Sequence, residues 1–314
     1  MQVLTVMEQG RVALADAPSQ TIAVIPAYNE ERFIGSMVIK TLKYVDRVIV
    51  VDDGSKDETA EIAEITGATV VRHEQNLGKG AALNSGFKRA REFNPSVIVT
   101  LDGDGQHIPE EIPLVLEPIL SGKADIVVGS RYLENRSAVP TERIWGHRVF
   151  NILTNSLTQV HVTDSQSGFR AFSARALAAL YFSTKGFAVE SEMQFLAREF
   201  SLKLVEAPVT ILYRDAPKRL AVSQGVTVLH GLLQLIGQYR PLIFFGGLAV
   251  IFLAFGLAFG TRVIIVQQKL QVLAVGHALL TVLFCVLGSL SLFCGLILHS
   301  IRGLLISLLQ PMKQ

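Results

Sequence analysis

Ser96-Val97-Ile98-Val99-Thr100-Leu101-Asp102-Gly103-Asp104-Gly105-Gln106-His107 is the stretch on which the reading of the whole chain turns. An uncharged, largely β-branched run breaks into a loop with two carboxylates one residue apart, each beside a glycine. Continuous apolar runs mark strands of a parallel sheet that helices cover on both faces. The sequence around this run repeats the pattern, with further strands expected at Thr21–Pro26, Arg47–Asp52, Ala68–Arg72 and Asp125–Gly129. Between the runs, helical patterns cover Glu30–Leu42, Asp57–Thr66, Lys79–Phe93 and Pro109–Leu120. Strand alternating with helix predicts a doubly wound α/β domain, whose ligands bind beyond the carboxyl ends of the strands.

The polar turns sit at those ends. Asp102 and Asp104 can converge on one divalent cation, and hard oxygen ligands suit Mg²⁺ or Mn²⁺. An Asp-Gly turn explains the same string without any ligand. Val51-Asp52-Asp53-Gly54-Ser55 follows the second strand, where a carboxylate can accept from a ribose or a base, or cap the helix beginning near Asp57. The first strand ends in Pro26-Ala27-Tyr28-Asn29-Glu30, which adds a third polar turn to the same rim. Asn76-Leu77-Gly78-Lys79-Gly80 is no P-loop, because His73 and Gly80 stand where that motif needs Gly and Ser or Thr. Lys79 at a helix start can still meet a diphosphate or a base.

Composition points to a membrane. Half of the 314 residues are hydrophobic and only 18% are charged. From Pro241 onward there is no Asp or Glu, and the basic residues are Arg262, Lys269, Arg302 and Lys313. The net charge of +2 therefore divides into −2 before Pro241 and +4 after it. No basic footprint of a nucleic-acid binder is present. Two uncharged stretches, between Arg240 and Arg262 and between Lys269 and Arg302, exceed the roughly 20 helical residues that cross a bilayer core. With Thr261–Gln271 as linker they predict a helical hairpin, and the basic residues on the other side of it favour a cytoplasmic catalytic domain. Leu220–Gln238 reads either as an interfacial amphipathic helix or as a surface helix of the α/β domain. Cys285 and Cys294, nine residues apart, fall on opposite faces of a helix and are packing residues. The first twenty residues show no cleaved signal peptide.

The ordered set Pro26-Ala27-Tyr28-Asn29-Glu30, Asp52-Asp53-Gly54-Ser55, Asn76-Leu77-Gly78-Lys79-Gly80, Asp102-x-Asp104-x-Gln106-His107, Gly129-Ser130-Arg131-Tyr132 and Gln166-Ser167-Gly168-Phe169-Arg170 resembles family 2 glycosyltransferases of GT-A fold. The similarity runs from about Thr21 to Arg214 and points to the branch of dolichyl-phosphate mannose synthases, several of which carry a two-helix anchor. The resemblance implies an inverting transfer of a hexose from a UDP- or GDP-sugar to dolichyl or polyprenyl phosphate. It implies a nucleoside held by Pro26, Tyr28, Glu30, Val51 and Asp53, and a Mg²⁺ or Mn²⁺ ion held by Asp102, Asp104 and Gln106, with Gly103 lining the diphosphate. Arg131 and Arg143 would face the acceptor phosphate, which suits the planar guanidinium fork. Glu190 or Glu192 would touch sugar hydroxyls, although helix N-terminal placement also explains acidic residues there. Asp104, Arg131, Glu190 and Glu192 are thus the candidate catalytic set, and Lys79, Asp102, Arg214 and Lys218 join the nucleotide site.

The sequence departs from the family after Arg214. Where GDP-mannose users have Gly-x-Ser-Lys, this chain has Asp215-Ala216-Pro217-Lys218-Arg219-Leu220. Competing readings are a processive or other-acceptor transferase and a silent nucleotide-sugar-binding membrane protein. A processive synthase calls for Gln-x-x-Arg-Trp, whereas the single tryptophan, Trp145, lies in Glu142-Arg143-Ile144-Trp145-Gly146. The expected layout is residues 1–20 as an extension, 21–215 as the GT-A catalytic domain, 216–240 as a juxtamembrane amphipathic helix, and 241–308 as two spans near 241–261 and 273–300. A homo-oligomer is left open.

Overall fold

The computed structural model describes residues 20–135, 137, 141–183, 189–212, 230 and 233–309. The chain divides into two units, Met1–Gly231 and Leu232–Gln314. The first is built on seven strands: β1 (Thr21–Ala27), β2 (Arg47–Asp52), β3 (Thr69–Arg72), β4 (Val97–Thr100), β5 (Ile126–Ser130), β6 (Arg170–Ser173) and β7 (Leu204–Pro208). Its helices are α1 (Glu31–Thr41), α2 (Thr59–Ile65), α3 (Lys79–Arg91), α4 (Ile112–Leu120), α5 (Thr141–Thr158), α6 (Ala174–Ala179) and α7 (Val189–Glu199).

The strand order is β3-β2-β1-β4-β6-β5-β7. All pairings are parallel except those of β6, which runs antiparallel between β4 and β5. The five strands expected from apolar runs are present within a residue or two. Two further strands, β6 and β7, carried too little apolar signal. β6 opens with Arg170, a charged residue that is nevertheless fully buried. It is held there by its own chain, since Nε donates to the Ser167 carbonyl at 2.8 Å and Nη2 to the Ser165 carbonyl at 2.9 Å.

The chain leaves β1 toward β2 and β3 and returns through α3 to β4 on the other side of β1. That reversal opens a crevice at the carboxyl ends of β1 and β4, where open α/β sheets take their ligands. Ile25, Val48, Val50, Val99 and Val127 fill the core beneath it. α3 can lie close on β1 because Gly86 faces the sheet; a Cβ there would sit 2.3 Å from Cγ1 of Val24.

The second unit is a pair of helices, α8 (Pro241–Leu270) and α9 (Val275–Leu309). Both contain windows apolar enough to cross a membrane, with mean hydropathy 2.6 and 2.4. Small residues bring them together: Gly256 lies against Cys285, Gly288 against Leu253, and Gly295 against Phe245. Ser291 Oγ donates to the Phe245 carbonyl at 2.8 Å, which satisfies a hydroxyl that apolar surroundings would otherwise penalise. Cys285 sits at the helix contact while Cys294 is exposed, as their spacing requires.

One expectation changes here. The linker placed at Thr261–Gln271 is helical almost throughout, and α8 ends only where Gln271 turns left-handed at φ 55°. Nothing between Thr261 and Leu270 breaks a helix, since that segment has neither Gly nor Pro. At about 1.5 Å per residue, α8 is roughly 45 Å long against a core of ~30 Å, so Arg262 and Lys269 lie on its continuing end rather than in a loop. Residues 233–239 are helical; most of the juxtamembrane segment expected at 216–240 lies outside the described residues.

Candidate active site

The wall of the crevice is three turns laced together. After β1, Asn29 takes a left-handed conformation at φ 54°. Its N–H donates to Ser55 Oγ at 2.9 Å, and its Oδ1 accepts from the Lys56 N–H at 2.9 Å. The Glu30 N–H donates to Thr59 Oγ1 at 2.8 Å. Gly54, at φ 74°, lets the second turn meet the third: a Cβ there would lie 2.6 Å from the backbone of Gln75. Asp53 completes the lacing. Its Oδ1 accepts from the Leu77 N–H at 2.9 Å and its Oδ2 from the Gly78 N–H at 2.8 Å. His73 Nδ1 lies 2.7 Å from Asp53 Oδ1, and His73 Nε2 lies 2.9 Å from Ser85 Oγ.

The expected nucleoside residues therefore gather at one wall, in unequal roles. Tyr28 is exposed and Pro26 and Glu30 are half-buried. Val51 is fully buried, with its side chain turned toward α3, so it offers a ligand only its backbone. Asp53 is buried and committed to the turn at residues 77–78.

The floor is the loop after β4. The Asp102 N–H donates to His107 Nδ1 at 3.0 Å, which places the imidazole proton on Nε2. Burial pushes the His107 imidazole down to about 4, so it is neutral at physiological pH. Its ring packs on Phe169, with centroids 5.3 Å apart. Asp104 Oδ1 accepts from the Gln106 N–H at 3.0 Å, which closes the turn. Gly103 is packed on the end of β1, where a Cβ would come within 3.3 Å of Ala27 Cβ. Lys79, the first residue of α3, reaches across this floor. Its Nζ lies 2.6 Å from Asp102 Oδ1 and 2.8 Å from Glu190 Oε1.

Electrostatically the two loop carboxylates diverge. Burial acts to raise the Asp102 carboxyl, but Lys79 and neighbouring cationic charge more than offset it and hold the group below the usual range. Asp104 goes the other way: burial and the adjacent Asp102 push it up to about 6. It makes no ion pair among the described residues. A carboxylate crowded by another and lacking a cation is a fitting partner for a divalent ion. No third His, Cys, Asp or Glu joins the pair in a ligand cluster among the described residues. Mg²⁺ sites often use one or two carboxylates and take their remaining oxygens from substrate phosphates.

At the end of β5, Arg131 is 9% exposed. Its Nε donates to Asp164 Oδ2 at 2.6 Å, and its backbone N–H donates to the same oxygen at 3.1 Å. Asp164 is itself fixed through Glu206, which accepts from the Asp164 N–H at 3.1 Å and the Thr163 N–H at 2.8 Å. Glu192 is fully buried and accepts from the N–H and hydroxyl of Ser183. Glu190 has one oxygen on Lys79 while Oε2 is buried without a partner among the described residues. Arg143 lies on α5 with its side chain outside the described part, and Arg214 and Lys218 lie outside the described residues.

Residues 22–181, which hold the Asp102 loop, Lys79 and Arg131, match the family described as glycosyl transferase family 2. The chain belongs to glycosyl transferase family 2. Among the relatives of this glycosyltransferase, the UDP-N-acetylglucosamine--dolichyl-phosphate N-acetylglucosaminyltransferase of Methanococcus voltae is 34% identical, across 66% of this chain and 90% of that one. The polyprenol monophosphomannose synthase of Mycolicibacterium smegmatis is 30% identical, across 63% and 80%. These relatives fit the polyprenyl-phosphate branch of the family. Glucosyl-3-phosphoglycerate synthase from Mycobacterium tuberculosis, solved with Mn²⁺, uridine diphosphate and phosphoglyceric acid, superposes with a TM-score of 0.56 at 26% identity, covering 73% of this chain and 82% of that one. The glycosyltransferase thus has the GT-A architecture, with two long apolar helices at its C-terminal end.

Four residues of the site escaped the sequence reading. Asp164, Glu206, His73 and the backbone of Gly168 act through partners distant in the chain. Gly168 lay inside the quoted motif Gln166–Arg170, Asp164 two residues before it and His73 three residues before Asn76, but nothing in those motifs named their partners.

Proposed function

We propose that this glycosyltransferase moves a hexose, with inversion, from a nucleoside diphosphate sugar to a dolichyl or polyprenyl phosphate at the cytoplasmic face of a membrane. The observation that carries the reading is the placement of the Asp102/Asp104 loop and an Asp164-anchored Arg131 at the carboxyl ends of β4 and β5, on either side of the start of β6. One end can take a leaving diphosphate and the other an incoming phosphate. The relatives named for dolichyl and polyprenol phosphate support the acceptor, and the two apolar helices give the protein a means of reaching it.

Pro26, Tyr28, Glu30 and the backbone at Val51 line the proposed nucleoside wall, while Asp53 keeps that wall in shape. Asp102 and Asp104, with Gln106, would hold Mg²⁺ or Mn²⁺, which when bound offsets the charge developing on the departing diphosphate. The solved glucosyl-3-phosphoglycerate synthase with Mn²⁺ and uridine diphosphate supports that assignment by analogy. Arg131 and Arg143 would orient the acceptor phosphate, and Arg214 and Lys218, outside the described residues, would bind the nucleotide. A phosphate monoester is already anionic near pH 7, so its oxygen attacks the anomeric carbon without a strong general base. The protein's contribution is then position and charge. Arg131 gains its aim from Asp164: with Nε engaged, the terminal nitrogens are restricted in where they can point. Glu190 would accept from sugar hydroxyls through Oε2, which is buried and has no hydrogen-bond partner among the described residues.

The test is a donor panel on detergent-purified protein with Mn²⁺: UDP-glucose, UDP-N-acetylglucosamine and GDP-mannose, each labelled and each with a polyprenyl phosphate. An acid-labile labelled lipid from one donor supports the proposal and identifies the sugar. Nucleoside diphosphate released without labelled lipid rejects the lipid acceptor, and labelling of 3-phosphoglycerate offered in a parallel reaction would point to a soluble phosphorylated acceptor.

A further inference from the structure

Lys79 joins two parts of the site that the sequence keeps 23 and 111 residues away from it. Its ammonium touches Asp102 at 2.6 Å and Glu190 at 2.8 Å, and its side chain is 15% exposed. Gly168 is pressed onto the same pair, so closely that a Cβ there would lie 2.6 Å from Asp102 Oδ2 and 2.7 Å from Lys79 Nζ. The second oxygen of Glu190 is buried with no partner among the described residues. A lysine waiting to bind diphosphate would keep its donors toward the crevice. This one has two of its three donors on carboxylates.

We propose that Lys79 is a positioning residue that bridges the metal-side carboxylate Asp102 to the sugar-side carboxylate Glu190 and restrains the site from binding a divalent ion without nucleotide. The inference rests on Asp102 and Asp104 as metal ligands. A fixed positive charge in contact with Asp102 repels an incoming cation across a few ångströms of partly dry protein. When diphosphate arrives, its negative charge offsets that repulsion, and metal and nucleotide bind together. The same bridge fixes the distance from Asp102 to Glu190, and with it the distance from the leaving group to the sugar hydroxyls.

The test is Mn²⁺ titration of the full chain in detergent, followed by electron paramagnetic resonance, with and without UDP or GDP. Lys79→Met is expected to bind Mn²⁺ alone about tenfold more tightly than wild type, from Coulomb attraction no longer opposed. It should lose most of the gain that nucleotide gives to Mn²⁺ affinity. Turnover should fall about 100-fold, the scale expected when reacting groups are misplaced. Lys79→Arg, which keeps the charge, should keep the wild-type Mn²⁺ affinity. In Glu190→Gln the lysine leans on Asp102 alone, so Mn²⁺ should bind more weakly than in wild type. That opposite shift carries the test should Lys79→Met fail to fold in a thermal scan. Unchanged Mn²⁺ affinity in both Lys79→Met and Glu190→Gln, with nucleoside diphosphate affinity lost in Lys79→Met, overturns the inference and makes Lys79 a phosphate ligand. Asp104→Asn separates this from the underlying reading: if it leaves Mn²⁺ binding intact, the metal site itself is misassigned.

Discussion

At Gly168 a single methyl group would meet the Asp102 carboxylate and the Lys79 ammonium, both ends of side chains that can swing aside. Gly168→Ala should therefore fold, with Tm within a few degrees of wild type, yet lose about 100-fold in turnover because the ion pair is displaced. Loss of folding instead would mean the loop cannot yield. Asp104 and His107 give a pH signature at the same scale. His107 titrates near 4 in the folded protein against an ordinary 6.5, so it removes stability as pH falls through that window. Asp104 titrates near 6 against 3.8, so it adds stability as pH falls from 6 toward 4. In wild type the two largely cancel. Asp104→Asn removes the second, and thermal scans between pH 7 and pH 4 should reveal a loss of about 3 kcal/mol from His107. The Asp102-x-Asp104 pair was legible because its members are adjacent in sequence. The Arg131–Asp164 pair spans 33 residues, and nothing in either residue's own neighbourhood announces the other.

The turn from His73 to Lys79 is an element whose shape depends on one side chain. α3 starts behind Gly78 at φ 91°, and the N–H groups of Leu77 and Gly78 end on Asp53. Asp53→Ala leaves two donors unpaired and should cost about 2–3 kcal/mol in stability. Donor KM should rise more than kcat falls, because the wall for the nucleoside loosens while the Asp102 loop is untouched. Of the elements, the parallel strands were the most readable, since a strand covered on both faces must be apolar throughout. β6 was not, because four residues led by an arginine give no such run. Its place between β4 and β5 is set by pairing partners. The end of α8 was misjudged for a related reason. Charges at Arg262 and Lys269 signal the edge of an apolar span, but they do not stop a helix, and only the left-handed Gln271 does.

Across the whole molecule, the apolar surface of α8 and α9 is the dominant feature: Leu257, Leu279, Val282 and Phe293 are all more than 60% exposed. Such surface is stable in lipid and a liability in water. The protein should stay with membranes through alkaline carbonate extraction, and removal of residues 241–314 should release it into the soluble fraction. Retention of the truncated chain would assign membrane binding to another segment. Within the hairpin, Gly288→Val places a side chain 2.7 Å from Leu253 and should lower stability in detergent by about 1–3 kcal/mol, read from its Tm. The sequence by itself determined the sheet's parallel strands, the acidic loop at a strand end and the apolar hairpin, because each is written in neighbouring residues by burial, turn chemistry or length. Only the tertiary structure decided that Lys79 sits between Asp102 and Glu190, that Asp164 aims Arg131 and that Asp53 holds a turn. Those roles are set by contacts across 23 to 111 residues of chain, where packing, not local pattern, chooses the partner.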